Sequence, residues 1–188
     1  MSDLKDLSVL LTRPEHQIEE LRQLIQKAGG TPVCFSVTKI ISMDGNHLLE
    51  SLFRDNISKT DLAVFVSPNA VTFGIELLKK HALALPSDCK ILAVGPGTAK
   101  LIERNRLKVH DYPKAQFNSE ALLALPSLDQ IEGKHVLIVR GLGGREKIAR
   151  ELSTRKAIVC QLPCYERLPS KDLDTSVLDT FCREKKPA

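Results

Sequence analysis

The sequence contains no tryptophan, and aromatic residues make up only 4% of its 188 positions. Its basic residues are spread along the chain, with no dense block and no interleaved aromatics. That argues against a dedicated nucleic-acid surface. No apolar run approaches the length that crosses a bilayer. The opening MSDLKDLSVLLTR sets charges ahead of a very short apolar run, a poor match to an export signal. The five cysteines are odd in number and form no C-x-x-C. They read as reduced thiols of a cytoplasmic protein. No Asp, Glu, His cluster has metal spacing, and no G-x-S-x-G is present. The five histidines are scattered, in mostly polar contexts. The chain therefore advertises neither a nucleophile nor a metal site.

What the sequence has is rhythm. Short apolar runs alternate with amphipathic ones, the pattern of an α/β protein with parallel sheets and right-handed crossovers. Strands are expected at Ser8–Thr12, Thr31–Ser36, Asp61–Val66, Lys90–Val94, Lys108–Tyr112, His135–Arg140 and Ile158–Glu166. Helices are expected at Glu15–Ala28, Gly45–Asn56, Pro68–Lys80, Gly97–Asn105, Asn118–Leu125, Gly144–Lys156 and Asp172–Arg183. Val37–Ser42 and Cys164–Pro169 carry few helix signals and are candidate linkers.

In parallel sheets, ligands collect at the carboxyl ends of strands. Here those ends carry Ser67-Pro68-Asn69, Gly95-Pro96-Gly97-Thr98, Asn118-Ser119 and Gly141-Leu142-Gly143-Gly144. Each opens a helix, whose unpaired N–H groups and partial positive charge attract anions. Arg13, Arg140 and Arg145 lie near strand ends and add bidentate donors for carboxylates. Taken singly, Ser67, Thr98 and Ser119 also read as ordinary helix caps, and the glycines as turn formers. The run GLGGRE lacks the third glycine of a dinucleotide fingerprint, and no G-K-[ST] follows. The mild net charge of +4 suits an anionic small molecule.

The motifs in order are LLTRP (Leu10–Pro14), FVSPNAV (Phe65–Val71), AVGPGTA (Ala93–Ala99), SEALLALP (Ser119–Pro126), GKHVLIVRGLGGRE (Gly133–Glu146) and CYER (Cys164–Arg167). As an ordered set this resembles the uroporphyrinogen-III synthase family across nearly the whole chain. The resemblance implies a cofactor-free cytoplasmic lyase of tetrapyrrole (haem) biosynthesis. Such an enzyme cyclises the linear tetrapyrrole hydroxymethylbilane, inverts its last ring and releases water. Each pyrrole of that substrate bears an acetate and a propionate, which suits several helix N-termini around one cleft. The family's tyrosine of the YER motif, here Tyr165, becomes the candidate proton donor. Ser67 and Thr98 match family positions that face the cleft, and Asn69, Ser119, Arg13, Arg140, Gly141, Gly143, Gly144 and Arg145 complete the expected substrate-binding set.

The family fold implies two flavodoxin-like α/β domains joined by two extended linkers. The first would be discontinuous, residues 1–37 plus 167–188, and the second continuous, residues 43–163, with linkers near 37–42 and 164–169. The family continues beyond the point that corresponds to Ala188, so the discontinuous domain is expected to be incomplete in this chain, with activity of the chain alone in doubt. Completion in trans by an oligomer is then an open expectation, as is hydroxymethylbilane synthase as the donor of substrate. Two other readings stand beside the lyase: a non-catalytic tetrapyrrole- or polycarboxylate-binding module, and a nucleotide or flavin domain on the same fold.

Overall fold

A computed structural model describes residues 4–45, 47–144, 146–171 and 173–183. The chain divides into two compact units, Met1–Ile41 with Arg167–Ala188, and Ser42–Glu166.

In the first unit, β1 (Ser8–Leu11), α1 (Glu19–Lys27) and β2 (Thr31–Cys34) form a parallel β-α-β crossover. Ser8 is paired with Thr31 and Leu11 with Cys34. Leu11, Ile18 and Ile25 are buried between helix and sheet, with Leu4, Val9 and Leu21 packed around them. The helix expected from Glu15 begins instead as a separate 3-10 turn over Glu15–Gln17. Pro14 precedes that turn and offers no side-chain cap, so the first N–H groups are satisfied by tighter i→i−3 bonds, such as Gln17 N–H to Pro14 O. Gly29 ends α1 at φ +82°, the left-handed turn that glycine takes without strain.

β3 (Thr38–Ser42) leads out of this unit, and α2 (His47–Ile57) follows. The second unit then lays down β4 (Leu62–Phe65), α3 (Pro68–Lys80), β5 (Lys90–Ala93), α4 (Pro96–Arg104), α5 (Ser119–Leu123), β6 (His135–Gly141), α6 (Lys147–Thr154) and β7 (Ile158–Pro169), before α7 (Ser176–Arg183). The sheet order is β3-β7-β6-β4-β5, and the β5–β4, β4–β6 and β6–β7 pairs are parallel. β4 reads LAVF and is buried throughout, as expected of a central parallel strand covered on both faces. Its Leu62 and Val64, with Val136 and Ile138 of β6, pack beneath α5 and α6 against Leu122, Leu123, Ile148 and Leu152.

On the opposite face α3 approaches β6 so closely that a Cβ at Gly74 would lie 2.6 Å from Val139 Cγ1. Gly74→Ala is expected to cost about 1–3 kcal/mol through overpacking, read as a lower urea midpoint. Adding Val139→Ala should return part of that loss; a neutral Gly74→Ala would show that the helix can shift freely.

The strand expected at Lys108–Tyr112 is reduced to one bridge, between Leu92 and Asp111. Where a ladder bond would form, the Ile91 N–H instead donates to the His110 imidazole Nδ1 at 2.9 Å. Pro113 follows and has no N–H to extend the pairing. At the other side of the sheet, the β6–β7 register shifts. Arg140 pairs with Pro163, but Gly141 pairs with Tyr165. Pro163 donates no ladder bond, and the resulting bulge breaks the inside–outside alternation of β7. Cys164 and Tyr165, consecutive in sequence, are therefore both buried.

Candidate functional site

From β4 the chain crosses through α3 to β5 on one side, and later returns to β6 on the other side of β4. The carboxyl ends of β4 and β6 therefore flank a topological switch point, where open α/β sheets leave a crevice. Ser67 lies just past β4, Gly141 ends β6, and Tyr165 sits beside Gly141 on β7.

Ser67 caps α3: its Oγ accepts the Ala70 N–H at 3.1 Å. The same Oγ lies 3.1 Å from the Tyr165 hydroxyl, a contact between residues 98 positions apart. Tyr165 is 7% exposed. It lies over the bare α-carbon of Gly141, where an added Cβ would come within 2.6 Å of Cζ. Phe73 holds it from α3, with ring centroids 5.7 Å apart. The phenol is thus fixed by packing on two sides and by a hydroxyl at a helix N-terminus.

Cys164 is also buried, and its Sγ donates to Arg140 O at 3.4 Å. Burial pushes its thiol up to about 12, so it is no nucleophile at neutral pH. Iodoacetamide near pH 8 is expected to modify the exposed Cys34 and Cys182 and to spare Cys164 and Cys89 in the folded chain, as read by mass spectrometry. Labelling of Cys164 at the rate of Cys34 would contradict its burial.

Arg140 is 7% exposed. Its Nε donates to Gly141 O at 3.2 Å and its Nη1 to Glu146 Oε1 at 2.7 Å and to Gln161 Oε1. Gln161 Nε2 in turn donates to Glu146 Oε2 at 2.9 Å. The Gln161 amide, and after it the Arg140 guanidinium, hold the Glu146 carboxyl below its ordinary value. This cluster braces the turn between β6 and α6. Within that turn Gly143 takes φ +70°, and Gly144 leaves space into which a Cβ would bring it 2.9 Å from Arg140 Nη2.

Thr98 is buried in the first turn of α4, whose cap is Gly95. Asn69 is buried in the first turn of α3. Ser119 opens α5, but the cap is Asn118, whose Oδ1 accepts the Ala121 N–H at 2.9 Å. Arg13 is exposed in the first unit, just after β1. Arg145 lies outside the described residues.

Parallel topology brings the starts of α3, α4 and α6 to one edge of the sheet. Val94 N–H donates to Phe65 O at 3.1 Å, so the chain entering α4 runs beside the chain entering α3. Lys147 of α6 pairs with Glu120 of α5 at 2.5 Å, drawing α5 to the same edge. Phe117, which no sequence pattern singled out, packs its Cβ against Gly95 there and remains 54% exposed.

At the opposite edge is a polar depression of about 290 Å³ lined by Lys59, Asp61, Lys90 and Lys134 among others. Asp61 binds the strands there. The His135 N–H first, then Lys134, hold its carboxyl below the ordinary value. Among the described residues no group of three or more His, Cys, Asp or Glu is placed to hold a metal ion. No helix among them is long and apolar enough to cross a membrane.

The family model for uroporphyrinogen-III synthase HemD matches residues 19–188. The chain belongs to the uroporphyrinogen-III synthase family. It is 36% identical over 164 residues to the enzyme of that name from Proteus mirabilis, covering 86% of this chain and 81% of the relative. To the Salmonella typhimurium enzyme it is 32% identical over 162 residues, covering 86% and 65%. The chain thus spans about two thirds of the length of that relative, and the same 65% of the Escherichia coli one. In fold it is similar to a crystal structure of a mutant uroporphyrinogen III synthase from Thermus thermophilus, with a TM-score of 0.67 at 22% identity, covering 87% of this chain and 64% of that one. The architecture shared with this family is a mixed α/β fold dominated by parallel strands.

Proposed function

We propose that the protein to which this chain belongs cyclises hydroxymethylbilane to uroporphyrinogen III, inverting the last pyrrole ring and releasing water. One observation carries the reading beyond family membership: the Tyr165–Ser67 hydroxyl pair at the switch point, beside the starts of α3, α4 and α6. Helix N-termini suit the acetates and propionates of the bilane, each contributing about 0.3–1 kcal/mol and up to ~2 when partly buried. In this reading Ser67, Asn69, Thr98, Ser119, Gly143 and Gly144 line the binding edge, and Arg13 and Arg145 are the further cationic candidates for substrate carboxylates. Arg140, held by Glu146 and Gln161, acts by bracing the β6–α6 turn.

The chemistry asks for little covalent help. Tyr165 donates a proton to the departing hydroxyl, the C–O bond breaks, and water leaves a cationic chain end. A free chain would close at the nearer carbon. Holding it bent directs attack from the substituted carbon of the last ring; the bond from that carbon to its bridging methylene then breaks, the methylene rejoins the ring at its free α-carbon, and the proton lost there restores the tyrosine. Positioning and exclusion of water supply the selectivity. The general acid adds about 10²–10⁴-fold.

The two compact units read as the two flavodoxin-like domains of the family, joined by β3 and β7. The five unpaired cysteines suit a reducing cytoplasm. The reading also makes hydroxymethylbilane synthase the natural donor of substrate. The test is incubation of the chain with hydroxymethylbilane, oxidation of the products to porphyrins and separation of the isomers. An excess of type III is expected. Type I alone, as without enzyme, would remove catalysis from this chain and leave it at most a binding module.

A further inference from the structure

Large apolar side chains exposed in the second unit are few. Among the described residues there they are Phe117 at 54%, Leu142 at 48% and Ile158 at 50%. Ile158 begins β7, at the far edge of the sheet. Phe117 and Leu142 both stand at the strand-end edge that carries Tyr165. Neither is a loose surface residue. The position of a Cβ on Gly95 falls 3.0 Å from Phe117 Cβ and 3.2 Å from its Cγ, so the root of that side chain is seated on the start of α4. The Leu142 N–H donates to Tyr165 O at 2.8 Å, which fixes Leu142 at the mouth of the bulge.

Their places follow from strand order. Leu142 extends β6, Ser67 extends β4, and Gly95 beneath Phe117 extends β5, and these strands are neighbours in that order. Two strand spacings separate the outer positions, about 10 Å. An exposed phenyl ring and an exposed leucine thus flank Ser67, whose Oγ meets the Tyr165 hydroxyl reaching across from β7. The neighbouring groups are polar: the N–H donors that open α3 and α4, and the Lys147–Glu120 pair. Apolar surface in such a setting is well covered by a ligand that is itself part apolar.

We propose that Phe117 and Leu142 form an apolar lip that packs on the pyrrole rings of the bound tetrapyrrole while the adjoining helix starts receive its carboxylates. This rests on the reading of the edge as a tetrapyrrole site and adds what selects the ligand. The edge discriminates a heteroaromatic polycarboxylate from any other polyanion of the same charge. Phe117 supplies a face for ring stacking, and Leu142 packs next to the ring nearest Tyr165. Both are positioning residues, since neither carries a group that takes part in bond making.

The test measures binding of two probes to the full chain. One is uroporphyrin, followed by quenching of its fluorescence. The other is an oligoglutamate peptide matched to it in charge, followed by calorimetry. The variants are Phe117→Ala, Leu142→Ala and the pair together, with thermal melts to verify folding. Each single variant is expected to weaken uroporphyrin binding by roughly ten-fold and to leave oligoglutamate binding unchanged. Gly95→Ala, which displaces Phe117 from its seat, should weaken uroporphyrin binding in the same direction. Equal losses for both probes would overturn the lip, because the side chains would then act on the helix starts. Unchanged binding of both probes would overturn it too, with the polycarboxylate site left standing. A parent chain that binds neither probe would remove the site itself, and the lip with it.

Discussion

Replacing Tyr165 with phenylalanine is expected to lower turnover by about 10²-fold or more while the apparent substrate constant changes by less than about two-fold. The substitution deletes one oxygen and little else. The ring keeps its seat over Gly141 and its contact with Phe73. Ser67 keeps the Ala70 N–H as a partner, so the start of α3 stays capped. What is lost is the hydroxyl 3.1 Å from Ser67 Oγ, which the proposed reaction uses as its proton source. A packing role predicts a different pattern, with stability and activity near those of the parent. Steady-state kinetics with hydroxymethylbilane, together with a thermal melt, separates the two. Equal losses in turnover and in binding would assign the hydroxyl to substrate affinity and take away its part in proton transfer.

Gly141→Ala has the second large effect, and it reaches the chemistry through space alone. The new methyl would lie 2.6 Å from Tyr165 Cζ and 2.7 Å from Cε2. Those atoms belong to a ring already held by α3 and by the bulge at Cys164, so there is little room to retreat. Overpacking of this kind costs about 1–3 kcal/mol. The displaced phenol also leaves Ser67, so turnover should fall at least as far as in Tyr165→Phe. The two effects are separable. In a Tyr165→Ala background the same Gly141→Ala change should cost little further stability, because the clashing ring is gone. Fully additive losses would mean that Gly141 serves the backbone of the turn and not the seat of the ring.

These expectations depend on contacts that local sequence does not carry. The elements themselves were legible where their signals are local. Helix α3 runs Pro68–Lys80 as read, because a serine cap and a proline in the first turn mark its start. β4 was legible because a buried parallel strand is a bare apolar run. The first helix was overextended, since Glu15–Gln17 precedes the apolar stripe that begins at Ile18, and Pro14 leaves that turn uncapped. The Lys108–Tyr112 strand was overread, because a histidine imidazole takes the Ile91 N–H in place of a backbone carbonyl.

At the candidate site the sequence marked the glycine turn and Tyr165 separately. Their contact depends on a one-residue register shift, for which Pro163 was the only hint. Arg140 read as a donor for ligand carboxylates, yet the partners that occupy it are Glu146, six positions on, and Gln161 on the next strand. Ser119 was legible as part of a helix start, but the capping oxygen belongs to Asn118. Phe117 was invisible to pattern reading, because a single aromatic before a cap has no periodicity. Its seat on Gly95 is a contact that no local pattern carries.

Backbone amide shifts during a titration with uroporphyrin report directly where the polycarboxylate binds. The prediction is that the largest changes cluster at Ser67–Ala70, Gly95–Thr98 and Gly141–Gly144, and that they weaken as salt is raised. Changes concentrated instead at Ser58–Leu62 and Lys134, around the lysine-lined depression at the far edge of the sheet, would contradict it.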